Sequence, residues 1–120
     1  MPPRVLIVDD HASFRRLAGR VLAEAGFTVV GEAADGASAL SAAAALEPDL
    51  VLLDIMLPDR SGLAVAEQLR SSPRPPPCVV LTSSRTRSDF GAGYRWPDGC
   101  EFVPKHQLTG PGLLALVERL

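Results

Sequence analysis

Five short apolar runs constrain this chain more than any other feature: "VLIV" (5–8), "TVVGEA" (28–33), "LVLL" (50–53), "CVVL" (78–81) and "EFV" (101–103). Each has strand length, and most are rich in Val, Leu or Ile without polar alternation, as strands buried on both faces are. Segments of helical period lie between them. Phe14, Leu17, Ala18, Val21, Leu22 and Ala25 recur at helical spacing, and Gly26 supplies a stop. Gly36 to Leu46 is alanine-rich and favours helix, and Ser61 to Ser71 predicts a third one. Leu113, Leu116, Val117 and Leu120 form the stripe of a last helix. Strand alternating with helix specifies an α/β domain with a parallel sheet, and right-handed crossovers put helices on both faces.

Two segments interrupt the rhythm. "SSPRPPP" (71–77) is proline-rich and extended but too short to separate two domains, so it is a loop. "SRTRSDFGAGYRWPDGC" (84–100) stands where a fourth helix belongs. Gly91, Gly93, Pro97 and Gly99 weaken helix there, Pro97 by about 3 kcal/mol in an interior, which predicts a short or irregular helix followed by a loop. The 120 residues fit one domain spanning 1–120.

Composition excludes several classes. With 47% hydrophobic and 22% charged residues the chain is in the globular range. A formal charge of −2 lacks the footprint of direct nucleic-acid or anionic-membrane binding. Cys78 and Cys100 match no metal spacing and are expected to be buried or half-buried free thiols. No apolar run reaches membrane-spanning length, and Asp9 breaks the first one after four residues, so no secretory signal is read. The expectation is a soluble, cytoplasmic protein.

The run endings carry the chemistry. The first run ends in Asp9-Asp10, the third in Asp54, the fourth in Thr82 and the fifth, after Pro104, in Lys105. All strand C-termini of a parallel sheet share one edge, and open α/β sheets bind ligands in the crevice outside it. Taken singly, Asp10 could cap a helix, Asp54 start a turn before Pro58, Thr82 end a strand and Lys105 be solvated. Taken together, three acids, a hydroxyl and an amine converge. One lysine cannot neutralise three carboxylates, and an all-oxygen site favours a hard divalent ion, with Mg²⁺ the expected one. Mg²⁺ typically bridges carboxylate to phosphate oxygen, and a carboxylate in such a pocket can act as nucleophile and form an acyl phosphate.

These residues resemble the receiver domains of bacterial two-component response regulators. The resemblance covers nearly the whole chain and is strong in "VLIVDDH", "PDLVLLDIMLPDRSGL", "VVLTSS" and "FVPK", with Pro58 and Gly62 following Asp54. It implies a flavodoxin-like three-layer sandwich: a five-stranded parallel sheet in order 2-1-3-4-5 with about five helices. It also implies that Asp54 is the phosphoacceptor, attacking a phosphohistidine on a sensor histidine kinase or phosphotransfer protein. Mg²⁺ would be held by the carboxylates of Asp10 and Asp54, the backbone carbonyl of Met56 and, through water, Asp9. Lys105 would pair with Asp54 and later with a phosphoryl oxygen. Thr82 would swing in to bond the phosphoryl group, and Phe102 would change rotamer with it. Ser83 is small, as phosphate access requires, and Met56 and Ser84 occupy positions that tune dephosphorylation.

The chain departs from the family pattern in two places. Family members commonly carry Lys-Pro with a cis peptide, whereas here the order is Pro104-Lys105-His106, so no cis bond is expected after Lys105. The Ser84–Gly99 stretch replaces the helix whose face normally carries output, which leaves a homodimer through it open. His11 is read as a first-turn helix residue and His106 as a loop residue. The resulting expectation is a phosphorylatable switch that catalyses only its own phosphorylation and dephosphorylation, with no direct nucleic-acid or membrane contact. Three alternatives stand beside it: the receiver part of a longer DNA-binding transcriptional regulator, a Mg²⁺-dependent phosphatase, or a receiver-like interaction module acting without phosphorylation.

Overall fold

Burial on both faces makes the first, third and fourth apolar runs the middle of the molecule. In the computed structural model, which describes residues 2–71, 75–85, 87–90, 96–97 and 99–118, each becomes a strand with almost every side chain out of solvent. The strands are β1 (Arg4–Val8), β2 (Thr28–Ala33), β3 (Leu50–Asp54), β4 (Cys78–Ser83) and β5 (Cys100–Pro104). They form one sheet in the order β2-β1-β3-β4-β5, parallel at every pairing. The helices are α1 (Ala12–Glu24), α2 (Gly36–Leu46), α3 (Gly62–Arg70) and α4 (Gly110–Glu118), with 3₁₀ turns at Arg87–Phe90 and Lys105–Gln107.

The two-residue period of the strands sorts the core into two layers. Val5, Ile7, Leu50, Leu52 and Val80 face one way and pack under Ala18, Leu22 and Leu113 of α1 and α4. Leu6, Val8, Val51, Leu53, Val79 and Leu81 face the other way, under Ala39 of α2 and Val65, Ala66 and Leu69 of α3. Each buried Leu or Val contributes roughly 1.5–3 kcal/mol, so the sheet's middle dominates stability. Cys78 is a buried free thiol and Cys100 is half-buried, and burial pushes the Cys78 thiol up to about 11.

Two expectations need correction. Leu17 is 57% exposed and outside the α1 stripe. It lies about 100° around the axis from Ala18, on the solvent side of the narrow face that Ala18 and Leu22 present to the sheet. Ser61 and Ser71 flank the third helix rather than belong to it: the Ser61 hydroxyl accepts from the Leu63 amide at 3.1 Å and starts α3 at Gly62. The fourth crossover helix is short and irregular as expected: among the described residues four α-helices stand beside a 3₁₀ turn at Arg87–Phe90 between β4 and β5. Gly91, Gly93 and Leu120, on which other expectations rest, lie outside the described residues. Pro104 ends β5, which lies at the edge of the sheet beside β4, a position where a residue without an N–H is tolerated.

One glycine fixes the site's floor. The Gly62 amide donates to the Ile55 carbonyl at 2.7 Å, which folds the chain after β3 back onto the strand end. A Cβ at Gly62 would collide with the Asp54 carbonyl oxygen. The same loop is tied to α2, because the Asp59 carboxylate accepts from the Gly36 and Ala37 amides at 2.8 and 3.0 Å. Those amides, Gly36 first, hold the Asp59 carboxyl below the usual range.

Candidate functional site

Register sets the strand ends level. Val8 pairs with Leu53, Asp54 with Thr82, and Ser83 with Pro104, so the residues that end β1, β3 and β4 or follow β5 share one rim. Asp9 sits just past β1, with its amide bonded to the Ala33 carbonyl at 3.0 Å. Ile55 is held likewise by the Thr82 carbonyl at 3.0 Å. Lys105 opens the turn after β5 and reaches back across the rim.

Lys105 is the hub. Its Nζ lies 2.7 Å from Asp9 Oδ2, 3.2 Å from Asp54 Oδ2 and 4.4 Å from the centre of the Phe14 ring. Asp9 is fully buried and Asp54 is 3% exposed, so this ammonium balances charges that water does not reach. Asp54 Oδ1 accepts the Met56 amide at 2.9 Å, which fixes the carboxylate's orientation. Thr82 is fully buried at the next strand end, and its Oγ1 has no hydrogen-bond partner among the described residues. Ser83, small and buried, follows it.

The three ionised groups perturb one another. Burial raises the Asp54 carboxyl first, and the neighbouring Asp9 charge adds to it; the Met56 amide and Lys105 offset only part. Burial also pushes Asp9 upward, but Lys105, the His11 amide and Asp54 together hold it below the usual range. Burial disfavours the Lys105 charge, yet Asp9 and Asp54 more than offset that and keep its pKa raised. One carboxyl is thus held ionised while its neighbour resists ionisation, the arrangement of an acidic pocket short of positive charge.

Asp9, Asp54, Thr82 and Lys105 therefore converge as the spacing predicts. Asp10 joins them from the solvent side, its side chain 35% exposed and one of its oxygens clustered with Asp9, His11 and Asp54; capping does not account for it, because the residue at the cap position of α1 is His11. Met56 meets the site through its backbone, while the residue as a whole is 63% exposed. Phe102 is buried in the α2–α3 layer, one strand over from Leu81.

Sequence reasoning missed three participants. His11 precedes the helix rather than sitting in its first turn, and its Nδ1 lies 3.0 Å from Asp9 Oδ1 and 3.1 Å from Asp10 Oδ1. Phe14, read only as core, lies under the Lys105 ammonium. Arg15 donates to the Asp9 carbonyl at 2.7 Å and pairs with Glu32 at 3.0 Å. The available signal was their place in "DDHASFRR": the first turns after a rim residue still face the rim. His106, by contrast, belongs to the 3₁₀ turn at Lys105–Gln107 and is exposed.

The response regulator receiver domain model matches residues 5–106. The chain belongs to that family. This receiver domain is 41% identical over 87 residues to the transcriptional regulatory protein PdtaR of Mycobacterium tuberculosis, a match covering 72% of this chain and 42% of the relative. It is 40% identical over 105 residues to a protein-glutamate methylesterase/protein-glutamine glutaminase of Myxococcus xanthus, covering 87% of this chain and 30% of that one. The chain thus spans less than half the length of these relatives. Among solved structures, the signal receiver domain of NarL from Mycobacterium tuberculosis superposes with a TM-score of 0.84 at 32% identity, covering 98% and 97% of the two chains. The receiver domain of Thermotoga maritima CheB superposes with a TM-score of 0.81 at 25% identity over 99% and 96%. The receiver's acidic cluster brings one ligand atom each from Asp9, Asp10, His11 and Asp54 within 4.8 Å of one another. Among the described residues no helix is long and apolar enough to cross a membrane.

Proposed function

We propose that Asp54 accepts a phosphoryl group from a phosphohistidine of a sensor kinase or phosphotransfer protein, in a Mg²⁺-dependent step that switches the domain's conformation. The observation that carries this reading is the Lys105 ammonium spanning Asp9 Oδ2 and Asp54 Oδ2 beside the unpartnered hydroxyl of Thr82. A buried hydroxyl without a partner is costly, roughly 1–3 kcal/mol, and gains its bond when a phosphoryl oxygen arrives.

The donor set fits a hard divalent ion. Three carboxylates face one ammonium, and Asp54, raised first by burial and then by the Asp9 charge, would gain from a cation beside it. Asp10, Asp54 and the Met56 carbonyl would hold the ion, with Asp9 through water. When bound it neutralises charge on the phosphoryl oxygens and helps to place them.

The chain's own residues do the rest. A carboxylate oxygen of Asp54 attacks phosphorus, a P–O bond forms as the P–N bond breaks, and the imidazole leaves with a proton. The Met56 amide holds Asp54 in orientation. Lys105 stays within reach of the charge that develops as its partner becomes an acyl phosphate. Apart from this self-modification and its reversal by water, the domain has no proposed catalytic activity. Incubation with acetyl phosphate and Mg²⁺ is expected to add one labile phosphate by intact mass, and none when the metal is chelated. An unmodified mass under every condition would favour a binding module that acts without phosphorylation.

Thr82 and Phe102 are proposed as the switch. Phe102 is 7% exposed, with its ring centre 4.6 Å from Trp96 and 5.8 Å, edge-on, from Phe90. When Thr82 turns toward the phosphate, the space behind it opens to Phe102, shifting the population between two packings. Trp96 is the sole tryptophan. Its emission is expected to change on phosphorylation and to recover as the phosphate is lost; a spectrum indifferent to phosphorylation would remove Phe102 from the switch.

A further inference from the structure

His11 gives the acidic rim something an all-oxygen site lacks. Its Nδ1 lies 3.0 Å from Asp9 Oδ1 and 3.1 Å from Asp10 Oδ1. The ring is held there by its own backbone, since the His11 amide donates to the same Asp9 oxygen at 2.8 Å. Ligand atoms on a divalent ion with bonds of about 2.0–2.1 Å stand about 3 Å apart, so the nitrogen already lies at a coordination edge's distance from each of the two oxygens. The His11 side chain is 64% exposed, so an ion can reach the ring from solvent.

We propose that His11 Nδ1 is a nitrogen ligand at this site and makes it selective for borderline divalent ions, Zn²⁺ above all, over Mg²⁺. The inference rests on the metal-binding reading of the acidic cluster and deepens it. Imidazole is a poor donor to Mg²⁺, which prefers oxygen and dehydrates reluctantly, and a good one to Zn²⁺. A ring nitrogen beside two carboxylates therefore strengthens zinc binding while leaving magnesium binding nearly as it was. Zinc would then occupy the position of the phosphorylation cofactor, and the ratio of the two ions would set how much of the domain can be phosphorylated.

The test compares Zn²⁺ and Mg²⁺ titrations by calorimetry on the untagged wild type and on His11→Gln. It adds ring-nitrogen NMR, because the chain's two histidines report separately. The wild type is expected to bind Zn²⁺ at least about 100-fold more tightly than Mg²⁺. His11→Gln is expected to lose about 10- to 100-fold in Zn²⁺ affinity and less than about 3-fold in Mg²⁺ affinity. Zn²⁺ should shift the Nδ1 resonance of His11 and leave that of His106 in place. Intact Mg²⁺ binding with Zn²⁺ affinity untouched by His11→Gln, or a zinc shift on His106 alone, overturns the inference and leaves the phosphoacceptor reading standing. Absence of saturable Mg²⁺ binding in the wild type removes both.

Discussion

Lys105→Ala is expected to slow phosphorylation of Asp54 by about 100- to 1,000-fold. The ammonium is the described cation within bonding distance of both buried carboxylates, 2.7 Å from Asp9 and 3.2 Å from Asp54. Its loss removes the positive charge that offsets the developing acyl phosphate. The substitution also leaves two carboxylates buried without a counter-charge. Breaking a fully buried pair costs about 3–5 kcal/mol, and because the ammonium is 18% exposed the expected loss here is nearer 2–3 kcal/mol. Mg²⁺ supplies charge at the same rim, so a urea melt should show much of that stability restored by the metal, while the slow transfer remains. Wild-type stability and rate in Lys105→Ala would mean that the ammonium is only a surface group.

Asp54→Asn is expected to abolish the phosphate adduct and, in metal-free buffer at neutral pH, to raise the melting temperature by several degrees. The sign follows from the direction of the Asp54 shift. Burial, then the Asp9 charge, raises its folded pKa above the unfolded value, so ionised Asp54 costs stability at every pH above that folded pKa. As pH falls through it, the carboxyl takes up a proton and the cost disappears, so the gap between variant and wild type closes on the acid side. Asp9 moves oppositely: its depressed pKa gives stability that is present above the usual carboxylate value and is lost as pH falls below it. Saturating Mg²⁺ should narrow or reverse the neutral-pH difference, because the ion repays the wild type alone for the extra charge. Thermal melts across pH, with and without Mg²⁺, check each of these. A variant less stable than the wild type in metal-free buffer would contradict the placement of an undercompensated charge at Asp54.

The strands were legible because three of them are buried on both faces. Nothing polar interrupts "VLIV", "LVLL" or "CVVL", and the order of the sheet follows once the receiver motifs are joined to them. The rim was legible for a related reason: each run stops at a residue too polar to bury without a partner, and parallel pairing brings those stops together. What the sequence concealed depends on which way a side chain leans. Leu17 fits the helical stripe by count, yet the face of α1 against the sheet is too narrow to include it. Phe14 fits the same stripe and is partly diverted to the rim, where Lys105 lies over its ring. His11 looks like the first residue of a helix, and only the extended backbone at the cap position turns its ring back onto Asp9 and Asp10. Glycine and proline in the fourth crossover signalled a departure from regular helix but could not specify its replacement, the 3₁₀ turn at Arg87–Phe90.

Borohydride reduction of the phosphorylated protein, followed by peptide sequencing in the mass spectrometer, reads the acceptor directly, because an aspartyl phosphate is reduced to homoserine. Homoserine at position 54 alone, formed only when Mg²⁺ was present during phosphorylation, is the predicted result. Homoserine at position 9 or 10, phosphate on a serine or threonine, or labelling indifferent to the metal would contradict it.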